Sequence, residues 1–239
     1  MIRAVLFDFG GTLDTDGVHW SEKFWEIYER LRLPVSKADY ERAYVYSGDQ
    51  ISSGVIKPGD SFLTMLERQA YFQMIYLKEH RKLESAENLS ALAKKVADQG
   101  YRDVRAVVRT ARKTLDRLKD RYFLGLVSNF LGNLEEVVTE LGLSGYFQCI
   151  VDSARVGVSK PDPGIFEIAL KKIRITAPDS AVVGDSYDRD IVPAKKLGCL
   201  TLWVYKRSWK EPEETSAADF TVDSIAKIPG LLSRSQMLS

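Results

Sequence analysis

The chain has 239 residues, of which 45% are hydrophobic and 28% charged, and its formal net charge is +1. This balance is ordinary for a soluble globular protein and gives no overall field that would attract nucleic acid or an anionic membrane. No apolar run approaches the roughly 18 residues of a membrane-spanning helix, and we find no signal-peptide pattern at the N-terminus. We therefore expect a cytoplasmic protein with no nucleic-acid and no membrane partner.

The cysteines and histidines also limit the kinds of catalytic and metal site that we expect in this chain. Cys149 and Cys199 lie in apolar, strand-like segments, where cysteine acts as a small buried hydrophobe rather than as part of a disulfide framework. The only histidines are His19 and His80. Two isolated histidines argue against a histidine-based triad and against a histidine-rich zinc site.

The first predicted element is a buried strand over residues 4–7, which ends at Asp8 and a Gly-Gly-Thr turn. From residue 17 to about residue 100 the chain is predicted to be helical, because apolar residues recur at spacings of three and four. Glycine and proline divide this region, and we place one break at residues 99–100. The predicted helices span 22–31, 37–46, 61–78 and 87–97.

After residue 101 strands and helices alternate. Helices are predicted over 104–119, 134–141, 164–172 and 191–197, and apolar strands over 123–127, 147–151, 180–183, 199–204 and 220–222. Such alternation is typical of βαβ units and a parallel sheet. We predict an α/β fold: a Rossmann-like, doubly wound parallel sheet (residues 1–16 and 101–239) with an inserted α-helical domain (residues 17–100). A small basic cluster at 206–210 is interpreted as a solvated loop.

Polar side chains follow several of the predicted strands. In an open parallel sheet, ligands bind beyond the carboxyl ends of the strands, so these side chains are expected to share one crevice. The strand ends and one loop contribute seven of them: Asp8, Thr12, Ser128, Asn129, Lys160, Asp185 and Asp190.

This set of side chains indicates metal-assisted phosphoryl transfer. Carboxylates from separate strands suit Mg²⁺, which prefers oxygen ligands and is commonly shared with a substrate phosphate. Lysine, serine and asparagine can bind phosphoryl oxygens, and aspartate can act as a nucleophile through an aspartyl-phosphate. Taken singly, each residue also has a structural interpretation: Asp8 or Asp185 can cap a turn or helix, and Lys160 can lie on the surface.

Four segments in order resemble the motifs of the haloacid dehalogenase-like hydrolase superfamily. They are DFGGTL at 8–13, LVSN at 126–129, KPDP at 160–163, and VGDS at 183–186 continuing to the Asp-Ile pair at 190–191. The resemblance covers nearly the whole predicted sheet domain. It implies that the helical insertion is the cap of that family, with substrate selectivity lying in the cap.

The resemblance also implies roles and a substrate class. Asp8 would be the nucleophile and a Mg²⁺ ligand, joined by the backbone carbonyl of Gly10 and by Asp185, with Asp190 supporting the metal site. Ser128 and Lys160 would bind the phosphoryl group, with Asn129 beside them, and Thr12 would help to place it. A small phosphorylated metabolite is the expected substrate.

One position departs from the family pattern. Family phosphatases usually carry an acid/base aspartate two residues after the nucleophile, where this chain has Gly10. General acid–base help is worth about 10²–10⁴ in rate, so the phosphatase is expected to be weakened or altered. Three alternatives stay open: a catalytically weak module that binds a phosphorylated ligand or a protein, a phosphonatase using a cap lysine, and a dehalogenase.

Overall fold

The computed structural model describes residues 1–83, 88–209 and 213–235. Its centre is a six-stranded, fully parallel sheet in the order β3-β2-β1-β4-β5-β6. This confirms the predicted α/β class and the six strands. The strands are β1 (Ala4–Phe7), β2 (Phe123–Ser128), β3 (Cys149–Asp152), β4 (Ser180–Gly184), β5 (Leu200–Val204) and β6 (Phe220–Val222).

Helices cover both faces of the sheet, as the apolar strands require. Successive residues of β1 point to opposite faces, so Val5 and Phe7 join one buried cluster and Leu6 joins another. A strand buried on both faces reads as a continuous apolar run, which is what β1 shows. The helices are α1 (Trp20–Arg30), α2 (Lys37–Gln50), α3 (Phe62–Glu79), α4 (Leu89–Asp116), α5 (Leu134–Glu140), α6 (Ser153–Val156), α7 (Gly164–Ile173), α8 (Val192–Leu197) and α9 (Ile228–Ser235).

The insertion between β1 and β2 is helical, as predicted, but its last helix is longer than expected. The predicted break at residues 99–100 is wrong, because α4 runs without interruption from Leu89 to Asp116. Gly100 lies inside it and is buried, and a Cβ there would stand 3.4 Å from Ile27 and 3.6 Å from Leu66. The glycine thus serves close helix packing rather than chain termination. The predicted start of this helix at Glu87 lies outside the described residues, and the boundary at 100/101 stays a prediction.

The strand order positions the candidate site. β1 pairs with β2 on one side and with β4 on the other, so the connections of the sheet diverge at β1. In register, Phe7 lies opposite Leu126 and Val183. The chain leaves these three strands at the same edge of the sheet. The place where the connections diverge is called the switch point, and the crevice there is the usual ligand site of a doubly wound sheet.

Within the described ranges, no helix combines the length and the apolar character needed to cross a membrane.

Candidate active site

Asp8 leaves β1 into a turn that Gly11 makes possible. The backbone N–H of Asp8 donates to the carbonyl of Val183 at 2.9 Å, which extends the sheet by one residue. Gly11 then adopts a φ of +92°, and a Cβ at this position would overlap the carboxylate of Asp185. A residue without a side chain is therefore required here, because it lets the Asp185 carboxylate approach the turn.

Lys160 links two of the three acidic residues. Its Nζ donates to Oδ1 of Asp8 at 2.5 Å and to Oδ1 of Asp190 at 2.6 Å, and the lysine is buried. Ser128, at the end of β2, donates its hydroxyl to the same Asp8 oxygen at 3.0 Å. The other carboxylate oxygen of Asp8 has no hydrogen-bond partner among the described residues, and Asp8 lines a cavity.

Asn129 fixes the loop that carries Lys160. Its side chain accepts from the backbone N–H of Lys160 at 2.8 Å and donates to the carbonyl of Lys160 at 2.9 Å. This paired contact joins the end of β2 to a loop thirty-one residues further along the chain. Asn129 also lines the cavity, so it both positions the lysine and faces the open space.

Three carboxylates meet at the strand ends. Asp8, Asp185 and Asp190 each offer an oxygen within 4.8 Å of the others, and all three are buried. Burial raises the pKa of Asp185 well above its usual value, and the charges of Asp8 and Asp190 raise it further. Burial also raises the pKa of Asp190, to about 6, despite the opposing charge of Lys160. One lysine therefore leaves negative charge uncompensated, and a hard divalent cation with oxygen preference fits the cluster.

The charges also act on the lysine. Burial lowers the pKa of Lys160, but the carboxylates of Asp190 and Asp8 outweigh burial and hold that pKa above its usual value. Lys160 is therefore a permanent cation beside Asp8. Asp190 also accepts a hydrogen bond from the backbone N–H of Ser186 at 3.0 Å, so both of its oxygens are engaged.

Two further predicted residues lie in the turn after β1. The side chain of Thr12 is fully buried, and its hydroxyl donates to Oδ1 of Asp185 at 3.4 Å. Gly10 lines the cavity, with φ −74° and ψ 120°. The structure thus gathers the seven predicted side chains and Gly10 around one site. The roles of Thr12 in phosphoryl placement and of the Gly10 carbonyl as a ligand stay predictions.

The cavity beyond Asp8 is about 750 Å³ in volume, and its walls come mainly from the sheet domain. The predicted cap region contributes Gly17 and His19 among the described residues. Much of the lining comes from β5 and from the segments that follow β4 and β5, including Tyr187, Arg189, Trp203, Tyr205, Arg207 and Trp209. Residues 207–209, interpreted from sequence as solvated loop, therefore belong to the cavity, and Lys210 of the same cluster lies outside the described residues.

His19, from the helical insertion, and Trp209, from the segment after β5, contact each other at the cavity. Their rings stack with centroids 6.3 Å apart and an interplanar angle of 14°. Burial lowers the pKa of His19 to about 4, and the positive charge of Arg189 lowers it further. His19 is therefore neutral at physiological pH. No local sequence signal marks these residues, because their partners lie far away in the chain.

Asp14 and Trp20 form a second buried pair next to the turn. The Asp14 carboxylate accepts from Nε1 of Trp20 at 2.8 Å and from the backbone N–H of Gly11 at 2.7 Å. Burial raises the pKa of Asp14 to about 7. The pair places the Trp20 ring beside Gly10, where the nearest ring atom would lie 3.9 Å from an added Cβ.

A parallel sheet with a helical insertion after its first strand, carrying buried carboxylates and one lysine at the strand ends, defines a Rossmann-like α/β protein with an acidic site at its switch point. The family of haloacid dehalogenase-like hydrolases matches residues 2–198, and the chain belongs to that family. The helical insertion is accordingly the cap of this family.

Curated relatives and solved structures agree with this assignment. Glyceraldehyde 3-phosphate phosphatase of Methanocaldococcus jannaschii is 32% identical over 118 residues, which are 48% of this chain and 52% of the relative. Haloacid dehalogenase-like hydrolase domain-containing protein 3 of Mus musculus is 35% identical over 130 residues, 52% of this chain and 51% of the relative. The chain thus spans about half the length of the curated relatives it matches.

Two solved structures share the fold over nearly the whole chain. The putative hydrolase YfnB of Bacillus subtilis, bound to magnesium, has a TM-score of 0.61 at 19% identity and covers 97% of this chain and 98% of its own. L-2-haloacid dehalogenase of Xanthobacter autotrophicus has a TM-score of 0.63 at 19% identity, with coverage of 98% and 99%.

Proposed function

We propose that this protein is a Mg²⁺-dependent phosphatase that hydrolyses a small phosphorylated metabolite through an aspartyl-phosphate on Asp8. One observation carries the proposal: Lys160 and Ser128 both bind the same carboxylate oxygen of Asp8, and Asp8 lines a cavity large enough for a small substrate. The relatives described as glyceraldehyde 3-phosphate phosphatases support a phosphomonoester of metabolite size.

In the proposed reaction, an oxygen of Asp8 attacks phosphorus, forming a new P–O bond while the bond to the leaving alkoxide breaks. The Lys160 ammonium and the Ser128 hydroxyl stabilise the charge on the phosphoryl oxygens. Water then attacks the phosphorus of the aspartyl-phosphate while the P–O bond to Asp8 breaks, which releases inorganic phosphate and restores the Asp8 carboxylate; the alkoxide takes its proton from solvent. Asn129 keeps Lys160 in place during both steps through its two bonds to the backbone.

The acidic cluster fits a magnesium ion. Asp8, Asp185 and the carbonyl of Gly10 would be the protein ligands, with Asp190 beside them holding Lys160. When bound, Mg²⁺ supplies positive charge that offsets the negative charge of the phosphoryl group and of the carboxylates. The uncompensated carboxylates and the raised pKa of Asp185 support such a site.

Gly10 sets the expected rate. The leaving alkoxide needs a proton, and residue 10 has no side chain to donate it. The proposed enzyme is therefore slow, or it prefers esters whose leaving group is stable as an anion. A second candidate function follows from the same residue: a phosphate-binding module that turns over poorly because Gly10 provides no acid.

The test is phosphate release from a broad panel of phosphomonoesters with Mg²⁺ and with excess EDTA. We expect turnover that needs Mg²⁺, falls by at least about 10³-fold in Asp8→Asn, and is unchanged in Asp120→Asn. Asp120 is an exposed aspartate outside the site, so it controls for the same chemical change. Circular dichroism checks that both variants are folded.

Other outcomes favour the alternatives. Binding of phosphate with Mg²⁺ but no turnover of any ester would favour the binding module. Halide release that survives EDTA would favour a dehalogenase. Inactivation by borohydride only in the presence of a phosphonate would favour a phosphonatase with a cap lysine.

A further inference from the structure

Helix α4 carries a row of arginines that do not line the cavity of the candidate active site. Arg102, Arg105, Arg109 and Arg112 follow one another at spacings of three, four and three residues, which places them on one face of the helix. All four are exposed. Together they line a cavity of about 630 Å³, which we call the arginine groove, with Val108, Glu140, Leu141 and Gly142.

The groove arginines make no close ion pair within the described residues, although the charge of Arg112 helps to lower the pKa of Asp116. Arg30, Arg68 and Arg207 each pair with a carboxylate elsewhere in the protein. None of the four groove arginines makes an ion pair within the described residues, and Arg102 donates only to the backbone carbonyl of Asp98, at 3.2 Å. Since the whole chain has a net charge of only +1, the excess of positive charge is local.

The single carboxylate of the groove is already engaged. Glu140 accepts a hydrogen bond from the backbone N–H of Phe62 at 2.6 Å, at the start of α3, and it also interacts with the hydroxyl of Tyr101. Glu140 keeps its negative charge, so the groove holds four positive side chains against one negative. Four like charges in a row on a helix repel one another, and one carboxylate in the groove offsets only part of that repulsion.

We propose that the arginine groove is a binding site for a small molecule that carries several phosphate groups. A guanidinium binds phosphate oxygens in a bidentate manner, so one phosphate engages one or two arginines and four arginines call for more than one phosphate. The row extends over about 15 Å of helix. The cavity volume falls within the range of about 300–1,000 Å³ typical of small-molecule sites.

The groove is separate from the candidate active site. The described residues that line it include none that line the cavity at Asp8. Its concave form, and the restriction of its arginines to one stretch of α4, favour a compact ligand over a long polymer or a membrane surface. The proposal does not depend on the proposed phosphatase activity, because it requires neither Mg²⁺ nor turnover.

The test is calorimetric titration of the full chain with inorganic tripolyphosphate at low ionic strength, in EDTA so that no divalent ion takes part. We expect saturable binding to the wild type and affinity at least about tenfold weaker in the double variant Arg105→Gln/Arg109→Gln, because two charge-assisted contacts are lost. The control is Arg3→Gln/Arg234→Gln, which removes the same charge at exposed positions outside the groove and is expected to bind like the wild type.

Several results would overturn the proposal. One is the absence of binding to the wild type, and another is equal affinity in the wild type and the groove variant. A third is equal weakening of binding in the control variant, because binding would then depend only on net charge. Binding of a ten-nucleotide RNA more than tenfold tighter than tripolyphosphate would overturn the assignment to a small ligand. Thermal melting verifies that both double variants are folded. We expect them to fold because the substituted arginines are exposed.

Discussion

The indole Nε1 of Trp20 donates a hydrogen bond to the buried carboxylate of Asp14 at 2.8 Å, and this bond holds the Trp20 ring beside Gly10. Most of the space around Gly10 is nevertheless open. A Cβ at residue 10 would meet only ring atoms of Trp20, at 3.9 and 4.0 Å, which is ordinary van der Waals contact. Residue 10, where family phosphatases carry an acidic side chain, is a glycine in this chain. The surrounding fold nevertheless leaves room for a side chain there.

Gly10→Asp is expected to raise phosphatase turnover. The backbone of Gly10, with φ −74° and ψ 120°, suits any residue, and Gly10 itself lines the cavity, so a carboxyl group is added at its edge. A placed general acid is worth about 10²–10⁴ in rate. Steady-state phosphate release measures the gain, and Gly10→Asn is the control of equal size without an acid. An equal rise in the Asn variant, or no rise in the Asp variant, would contradict the expectation.

Gly11→Ala is expected to destabilise the protein and disturb the acidic cluster at Asp185. Gly10→Ala is the matched control and is expected to leave both unchanged. At Gly11 the φ of +92° is unfavourable for alanine, and its Cβ would overlap the Asp185 carboxylate. Backbone strain alone costs about 1–3 kcal/mol. Chemical denaturation measures stability, and thermal melting with added MgCl₂ measures metal binding. If the two alanine variants were equally stable and equally responsive to Mg²⁺, the close approach of Asp185 to the turn would be wrong.

Asp14→Asn is expected to flatten the pH dependence of stability. Burial raises the pKa of Asp14 from 3.8 to about 7, so between these pH values the folded state holds a proton that the unfolded state has lost. Stability therefore falls as pH rises from about 4 to 7, on the order of 4 kcal/mol in total for this group.

Urea unfolding of the wild type and of Asp14→Asn across pH 4–8 measures this effect. The wild-type free energy of unfolding should decline more steeply than that of the variant up to about pH 7, and the two curves should run parallel above it. Asp120→Asn should follow the wild type. Parallel curves over the whole range would show that Asp14 ionises normally.

Asp185→Asn is expected to stabilise the metal-free protein and remove its response to magnesium. In the wild type, burial and the charges of Asp8 and Asp190 oppose ionisation of Asp185. Each pKa unit of relief is worth about 1.4 kcal/mol. Melting temperatures in EDTA and in MgCl₂ test both effects: the variant should melt higher in EDTA and gain nothing from Mg²⁺. A magnesium response equal to that of Asp120→Asn would argue against Asp185 as a ligand.

The sequence predicted the strands well because each signal is local. Four apolar residues ending at Asp8 gave β1, and the alternation of strand and helix after residue 101 gave the parallel sheet. The same local logic failed at Gly100. A glycine usually marks the end of a helix, but here it allows α4 to pack closely on Ile27 and Leu66, which no nearby residue indicates.

The sequence by itself also determined which residues meet at the site. A parallel sheet brings its strand ends to one edge, and the four motifs identify the residues at those ends. Only the tertiary structure decided how they act on one another. Lys160 binding Asp8 and Asp190, Asn129 holding Lys160, and Trp20 standing beside Gly10 all depend on contacts between residues distant in the chain or across a turn. Such contacts depend on packing distances that a linear pattern does not contain. The cavity wall built by His19 and Trp209 depends on the same packing.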